Sequence, residues 1–171
     1  GPIPVRVLFL CTQSPWPANS GAPMRTQAWI RTAAQWCEVG LVAWVRSEAE
    51  AALAAGARDV CRYVRVVREP QSAMRRYTLK PRAVASLAPY CYTELESPAM
   101  WAAAREAVTA FAPDIVQAEW MGSARYLEVA RAAGIPRVFS AHNVEHRILA
   151  RTPGRLASAL GQPFVAAMEI G

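Results

Sequence analysis

Val5-Arg6-Val7-Leu8-Phe9-Leu10-Cys11, running on into Thr12-Gln13-Ser14-Pro15-Trp16-Pro17-Ala18-Asn19-Ser20-Gly21-Ala22, decides the fold. The first part is an unbroken apolar run rich in branched side chains, which a strand covered on both faces requires. The second part carries two prolines, Asn19, Ser20 and Gly21, and reads as a loop. Pro23 then suits the first position of a helix, where a missing N–H costs nothing. Beyond it, Ile30, Ala33, Ala34 and Cys37 mark one helical face, opposite Arg31, Thr32 and Gln35.

Working outward, the same alternation repeats. Val39 to Val45 predicts a second buried strand, Glu48 to Ala55 a helix ending at Gly56, and Val60 to Val67 a third strand. Prolines at 70, 81, 89 and 98 cut the stretch from Glu69 to Ser97 into short helical pieces. A helix over Ala99 to Phe111 stops at Pro113. Asp114 to Ala118 gives a fourth strand, Ser123 to Ala133 a helix closed by Gly134, and Arg137 to Ala141 a fifth strand. Helical material broken at Pro153-Gly154 follows. Strand and helix in alternation specify an α/β fold, a doubly wound parallel sheet with helices on both faces. Right-handed crossovers make 3-2-1-4-5 the expected strand order. Ligands of such sheets bind at the carboxyl ends of the strands, where the winding reverses. Thr12 to Ala22, Glu119 to Gly122 and His142 to His146 therefore face one crevice.

Length and composition fit this reading. The chain has 171 residues, 53% of them apolar and 19% charged, ordinary for one globular domain with a single core. No apolar run is long enough to span a membrane, and the N-terminus does not read as a secretion signal. Cys11, Cys37, Cys61 and Cys91 lie far apart and read as reduced thiols, as expected of a cytoplasmic protein. The 19 basic residues outnumber the 13 acidic ones, and Arg75, Arg76, Lys80 and Arg82 cluster among apolar neighbours. That cluster reads as a solvated helix face or as a peripheral contact with anionic lipid at the inner face of the membrane. No nucleic-acid module accompanies the charge, so nucleic acid is not an expected partner.

The crevice segments narrow the chemistry. Thr12 to Trp16 contains neither Gly-x-Gly-x-x-Gly nor Gly-Lys-Ser/Thr, which argues against a nicotinamide enzyme or a phosphate-loop nucleotidase. Ser20, Gly21 and Ala22 lead to a helix N-terminus that can attract an anion, and Arg25 is expected in its first turn. Simple turn geometry explains Gly21 equally well, and an exposed surface side chain explains Arg25. His142-Asn143-Val144-Glu145-His146 matches the His-x-x-Glu-His pattern of inverted zinc proteases. Asn143 is a natural helix N-cap, however, which leaves His142 outside the helix and argues against a metal shared with His146. A neutral His142 suits hydrogen bonding to a hydroxyl, against the plainer reading of a buried histidine bonded to backbone. Glu119 reads as a hydroxyl acceptor or an exposed carboxylate on the rim, and Trp120 as core or as a stacking platform.

In combination these segments resemble retaining glycosyltransferases of family four. The resemblance lies in Val5 to Leu10, Pro15-Trp16-Pro17, Ser20-Gly21, Arg25-Thr26 and Cys37 to Val42. It continues in Pro113 to Glu119, Gly134 to Val138 and Ala141 to Glu145. It covers about residues 5–150 and leaves the middle segment unmatched. It implies the GT-B architecture, with this chain as a single Rossmann-like N-terminal domain on the acceptor side and a separate donor-binding half. By the resemblance Gly21 lies near the donor diphosphate, with Ser20, Ala22 and Arg25 beside it as binding candidates, and His142 lies near the transferred sugar as the catalytic residue. Glu119, Asn143 and Glu145 are the remaining binding candidates. No cofactor or metal is implied, only a nucleotide sugar as co-substrate and a sugar acceptor. Family members usually carry Gly-Gly where this chain has Gly21-Ala22. The alternatives are a self-sufficient ligand-binding module of the same fold and a zinc hydrolase built on His142, Glu145 and His146.

Overall fold

The computed structural model describes residues 4–68 and 95–142. Its centre is β1 (Arg6–Cys11), flanked by β2 (Glu38–Val45) and β4 (Ile115–Glu119), with β3 (Tyr63–Arg68) and β5 (Arg137–Ser140) outside them. All four pairings are parallel and the order is β3-β2-β1-β4-β5, as the alternation predicts. The fold is α/β with a five-stranded parallel sheet and four described helices. These are α1 (Gly21–Ala33), α2 (Glu48–Ala54), α3 (Pro98–Phe111) and α4 (Glu128–Ala132). Among the described residues no helix is long and apolar enough to cross a membrane.

Alternation along β1 sorts its side chains to two cores. Val7, Phe9 and Cys11 join Ile30 of α1, Val39, Leu41 and Ala57 on one face. Leu8 and Leu10 join Val42, Val116 and the α3 residues Met100, Ala103, Ala104 and Ala107 on the other. Leu8, Leu10, Ile30 and Leu41 are fully buried, each contributing about 1.5–3 kcal/mol relative to exposure. The sheet is thus covered by helices on both sides, which is why its inner strands read as continuous apolar runs.

The helix ends follow local chemistry. Ser47 accepts from the Glu50 amide at 3.1 Å and Glu50 accepts from the Arg46 amide at 2.8 Å, fixing the start of α2. Ser97 caps α3 through the Met100 amide, with Pro98 at the first helical position. Gly134 takes a left-handed φ of 71° just past α4, as its position after the helical pattern predicts.

Several boundaries differ from the sequence expectation. α1 begins at Gly21, so Pro23 occupies the third helical position, still within the turn whose amides lack partners. Arg25 consequently falls in the second turn, where the helix dipole opposes it less. The helix expected over Ser123 to Ala133 is instead a 3-10 segment, Met121–Leu127, followed by the short α4. The Thr12 amide and hydroxyl both meet the Ser123 hydroxyl, at 2.9 and 3.1 Å, and this tie accompanies the tighter winding. α2 similarly passes into a 3-10 segment, Ala55–Asp59, and β3 starts at Tyr63 rather than Val60.

The basic cluster Arg75, Arg76, Lys80 and Arg82, Cys91, and the helical material after His142 lie outside the described residues. So do Asn143, Glu145 and His146.

Candidate functional site

β4 carries two polar residues in an otherwise apolar strand, Gln117 and Glu119, spaced by two and therefore on one face. Glu119 pairs in register with Cys11 of β1 on one side and Ser140 of β5 on the other. This places its carboxylate at the carboxyl edge of the sheet, where β1 and β4 part. Glu119 is only 2% exposed, so it is not the solvated rim residue that was one reading of it.

A buried carboxylate needs donors, and the chain supplies two. The Gln117 amide nitrogen donates to Oε1, and His142 Nε2 lies 2.6 Å from Oε2. The His142 side chain is 4% exposed, while its Nδ1 is buried with no hydrogen-bond partner among the described residues. The plainer reading of His142, a ring bonded to backbone, is thus replaced by a carboxylate–imidazole pair. The His142 carbonyl accepts from the exposed Arg25 guanidinium at 3.4 Å.

Described residues of the three segments expected to share a crevice, the third represented by His142 alone, line one space. A small cavity of about 10 Å³ is lined by Cys11, Gln13, Ala22, Pro23, Thr26, Glu119, Trp120 and His142. On its β2 side, a groove of about 160 Å³ runs between the proline-rich loop and the start of α2. Its lining includes Gln13, Trp16, Asn19, Arg46 and Glu50. Ser20 holds the N-cap position of α1 without a side-chain cap, and no acidic residue lies in the first turn. Gly21 has open space where a Cβ would stand.

Trp120 follows Glu119 with φ 67° and ψ 155°, a region that side-chain-bearing residues avoid at a cost of order 1–3 kcal/mol. Its ring packs partly against the α3-side core, and its amide donates to the Ser140 carbonyl at 3.0 Å. Cys11 is fully buried, and its thiol is pushed well above the ordinary range by burial first and by the Glu119 charge second. It lines the cavity as a neutral group.

Sequence reasoning missed Gln117, the backbone of Trp120 and the Arg46–Glu50 side of the groove. The period-two polar pair was a visible signal for Gln117. Nothing local in the sequence announces a left-handed tryptophan. For the zinc alternative, His142 Nε2 is engaged by Glu119, and Glu145 and His146 lie outside the described residues. Among the described residues, no three His, Cys, Asp or Glu side chains converge as a metal site. Neither the protein-family models nor the curated proteins compared with the chain give a match.

Proposed function

We propose that this chain is the acceptor-side half of a retaining, two-domain glycosyltransferase that moves a sugar from a nucleotide-sugar donor to a hydroxyl acceptor. The observation that carries the reading is the convergence of the Thr12 to Ala22 loop, Glu119 and His142 on one cavity at the sheet's reversal point. Doubly wound sheets hold their ligands at that place. The sequence resemblance assigns the sugar-transfer chemistry to the same three segments.

On this reading the uncapped amides of Gly21 and Ala22 receive the donor diphosphate, with Arg25 nearby as an exposed cation. His142 meets the transferred sugar. The groove beside the loop takes the acceptor, because aromatic edges with Asn19, Arg46 and Glu50 suit a polyhydroxylated ring. The donor nucleotide is bound by a second half, and this chain alone does not turn over. Peripheral membrane contact through the basic cluster remains part of the proposal, since an anionic surface would bring a lipid-linked acceptor to the groove.

The test is a turnover assay on this chain joined to the donor-binding half that the reading calls for. It is incubated with a panel of nucleoside-diphosphate sugars, and release of nucleoside diphosphate is followed. His142→Ala is expected to lower turnover at least about a hundredfold, as loss of a group acting at the transition state does. Its melting temperature is expected to fall by several degrees, because the buried Glu119 carboxylate loses a donor, so turnover is compared at a temperature where both proteins are folded. Equal turnover in parent and variant, or no release from any donor, sinks the reading.

A further inference from the structure

The short contact between Glu119 and His142 constrains where a proton sits. At 2.6 Å, one proton must lie between Nε2 and Oε2, because two bare lone pairs at that distance repel. Gln117 donates to the other oxygen of the same carboxyl group, as to a carboxylate that only accepts, so the proton is drawn on the ring nitrogen. A second proton on Nδ1 would make a charged ring with a buried N–H lacking an acceptor among the described residues. A bare Nδ1 is the less costly state.

From this we infer that Glu119 is a positioning residue: held by Gln117, it locks His142 as the Nε2–H tautomer, so that Nδ1 serves the crevice as a hydrogen-bond acceptor for one hydroxyl. Gln117 fixes the carboxylate from its other oxygen, and the register of β4 with β5 brings carboxylate and ring to the same edge. The neighbouring cavity of about 10 Å³ matches the space of a single water or hydroxyl. An acceptor nitrogen there selects O–H donors and disfavours carbonyl or phosphate oxygens, which bring no proton. Among the described residues, the polar groups that line the cavity beside the pair include the neutral Cys11 thiol from β1, Thr26 from α1 and the Gln13 amide from the loop, while Arg25 reaches the His142 carbonyl. None of them donates a hydrogen bond to Nδ1. The tautomer assignment stands apart from the sugar-transfer reading. That reading enters only in saying whose hydroxyl is bound.

Long-range proton–nitrogen NMR of the ¹⁵N-histidine-labelled chain reads the tautomer directly, with the His142 signals identified by their loss in His142→Gln. At a pH where the ring is neutral, Nε2 is expected to be protonated and Nδ1 bare. A protonated Nδ1 in the parent overturns the inference without any variant. In Glu119→Gln, whose amide can accept or donate, a mixture of both tautomers is expected, and Glu119→Asp should restore at least part of the bias. An unchanged tautomer in folded Glu119→Gln overturns the positioning role. In the two-half protein, Glu119→Gln is expected to lower kcat at least tenfold with donor KM within about threefold. A loss confined to KM also overturns the role. If the parent shows no turnover with any nucleotide sugar but the tautomer is as stated, the sugar-transfer reading fails and the inference survives.

Discussion

At the scale of single residues, burial decides chemistry more than identity does. Cys61 is an ordinary thiol by sequence, yet burial raises it from 9.0 to about 12, with Arg31 pulling the other way. The folded chain therefore keeps a proton that the unfolded chain gives up first. Its contribution to stability is fully present below about pH 9 and is lost as pH rises through about 12. Urea midpoints are expected to fall across that window, and less steeply in Cys61→Ala than in the parent. The same contrast explains what was legible at the crevice. Glu119 and His142 stand out in the sequence because each directly follows an apolar strand. Their mutual contact does not, because it depends on β4 and β5 pairing across residues far apart in the chain. Gln117 gains a role only from the burial of the carboxylate it serves, which no local pattern reveals.

At the scale of elements, the strands were legible and the helix ends less so. Continuous runs such as Leu8 to Cys11 leave few alternatives, because only a doubly covered strand uses them. The segment after β4 was misjudged because Ser123, Tyr126 and Val129 face inward at a spacing that serves a 3-10 turn as well as an α-helix. Gly122 is a tight point of that segment. A Cβ there would stand 2.3 Å from Leu95 Cδ1, 2.8 Å from the Trp120 ring and 2.9 Å from Thr12 Oγ1. Gly122→Ala is expected to destabilise the chain by about 1–3 kcal/mol, since the tryptophan ring cannot bend aside as a leucine tip can. Chemical denaturation measures this; a change below about 0.5 kcal/mol would mean the segment repacks freely. Gly21→Ala provides the contrast. It meets no atom within 4 Å and should alter stability little.

At the scale of the whole molecule, strand order and crevice position followed from alternation and handedness alone, whereas the identity of what enters the crevice did not. That information resides in side-chain contacts between distant segments, which no local pattern encodes. One such contact has a wider consequence. The buried Tyr126 hydroxyl donates to the Leu95 carbonyl at 2.5 Å and accepts from the Ser97 amide at 3.0 Å, clamping the chain where it enters α3. At the other end, β3 is zipped to β2 up to Arg68. Arg68 and Leu95 are therefore both seated on the scaffold, one by a strand ladder and one by a phenol. Tyr126→Phe removes both hydroxyl bonds and is expected to lower the unfolding free energy by about 1–3 kcal/mol by urea titration, because two buried backbone groups lose that partner. A single oxygen thus acts as a rivet, pinning the entry of one helix to the core that the next segment builds.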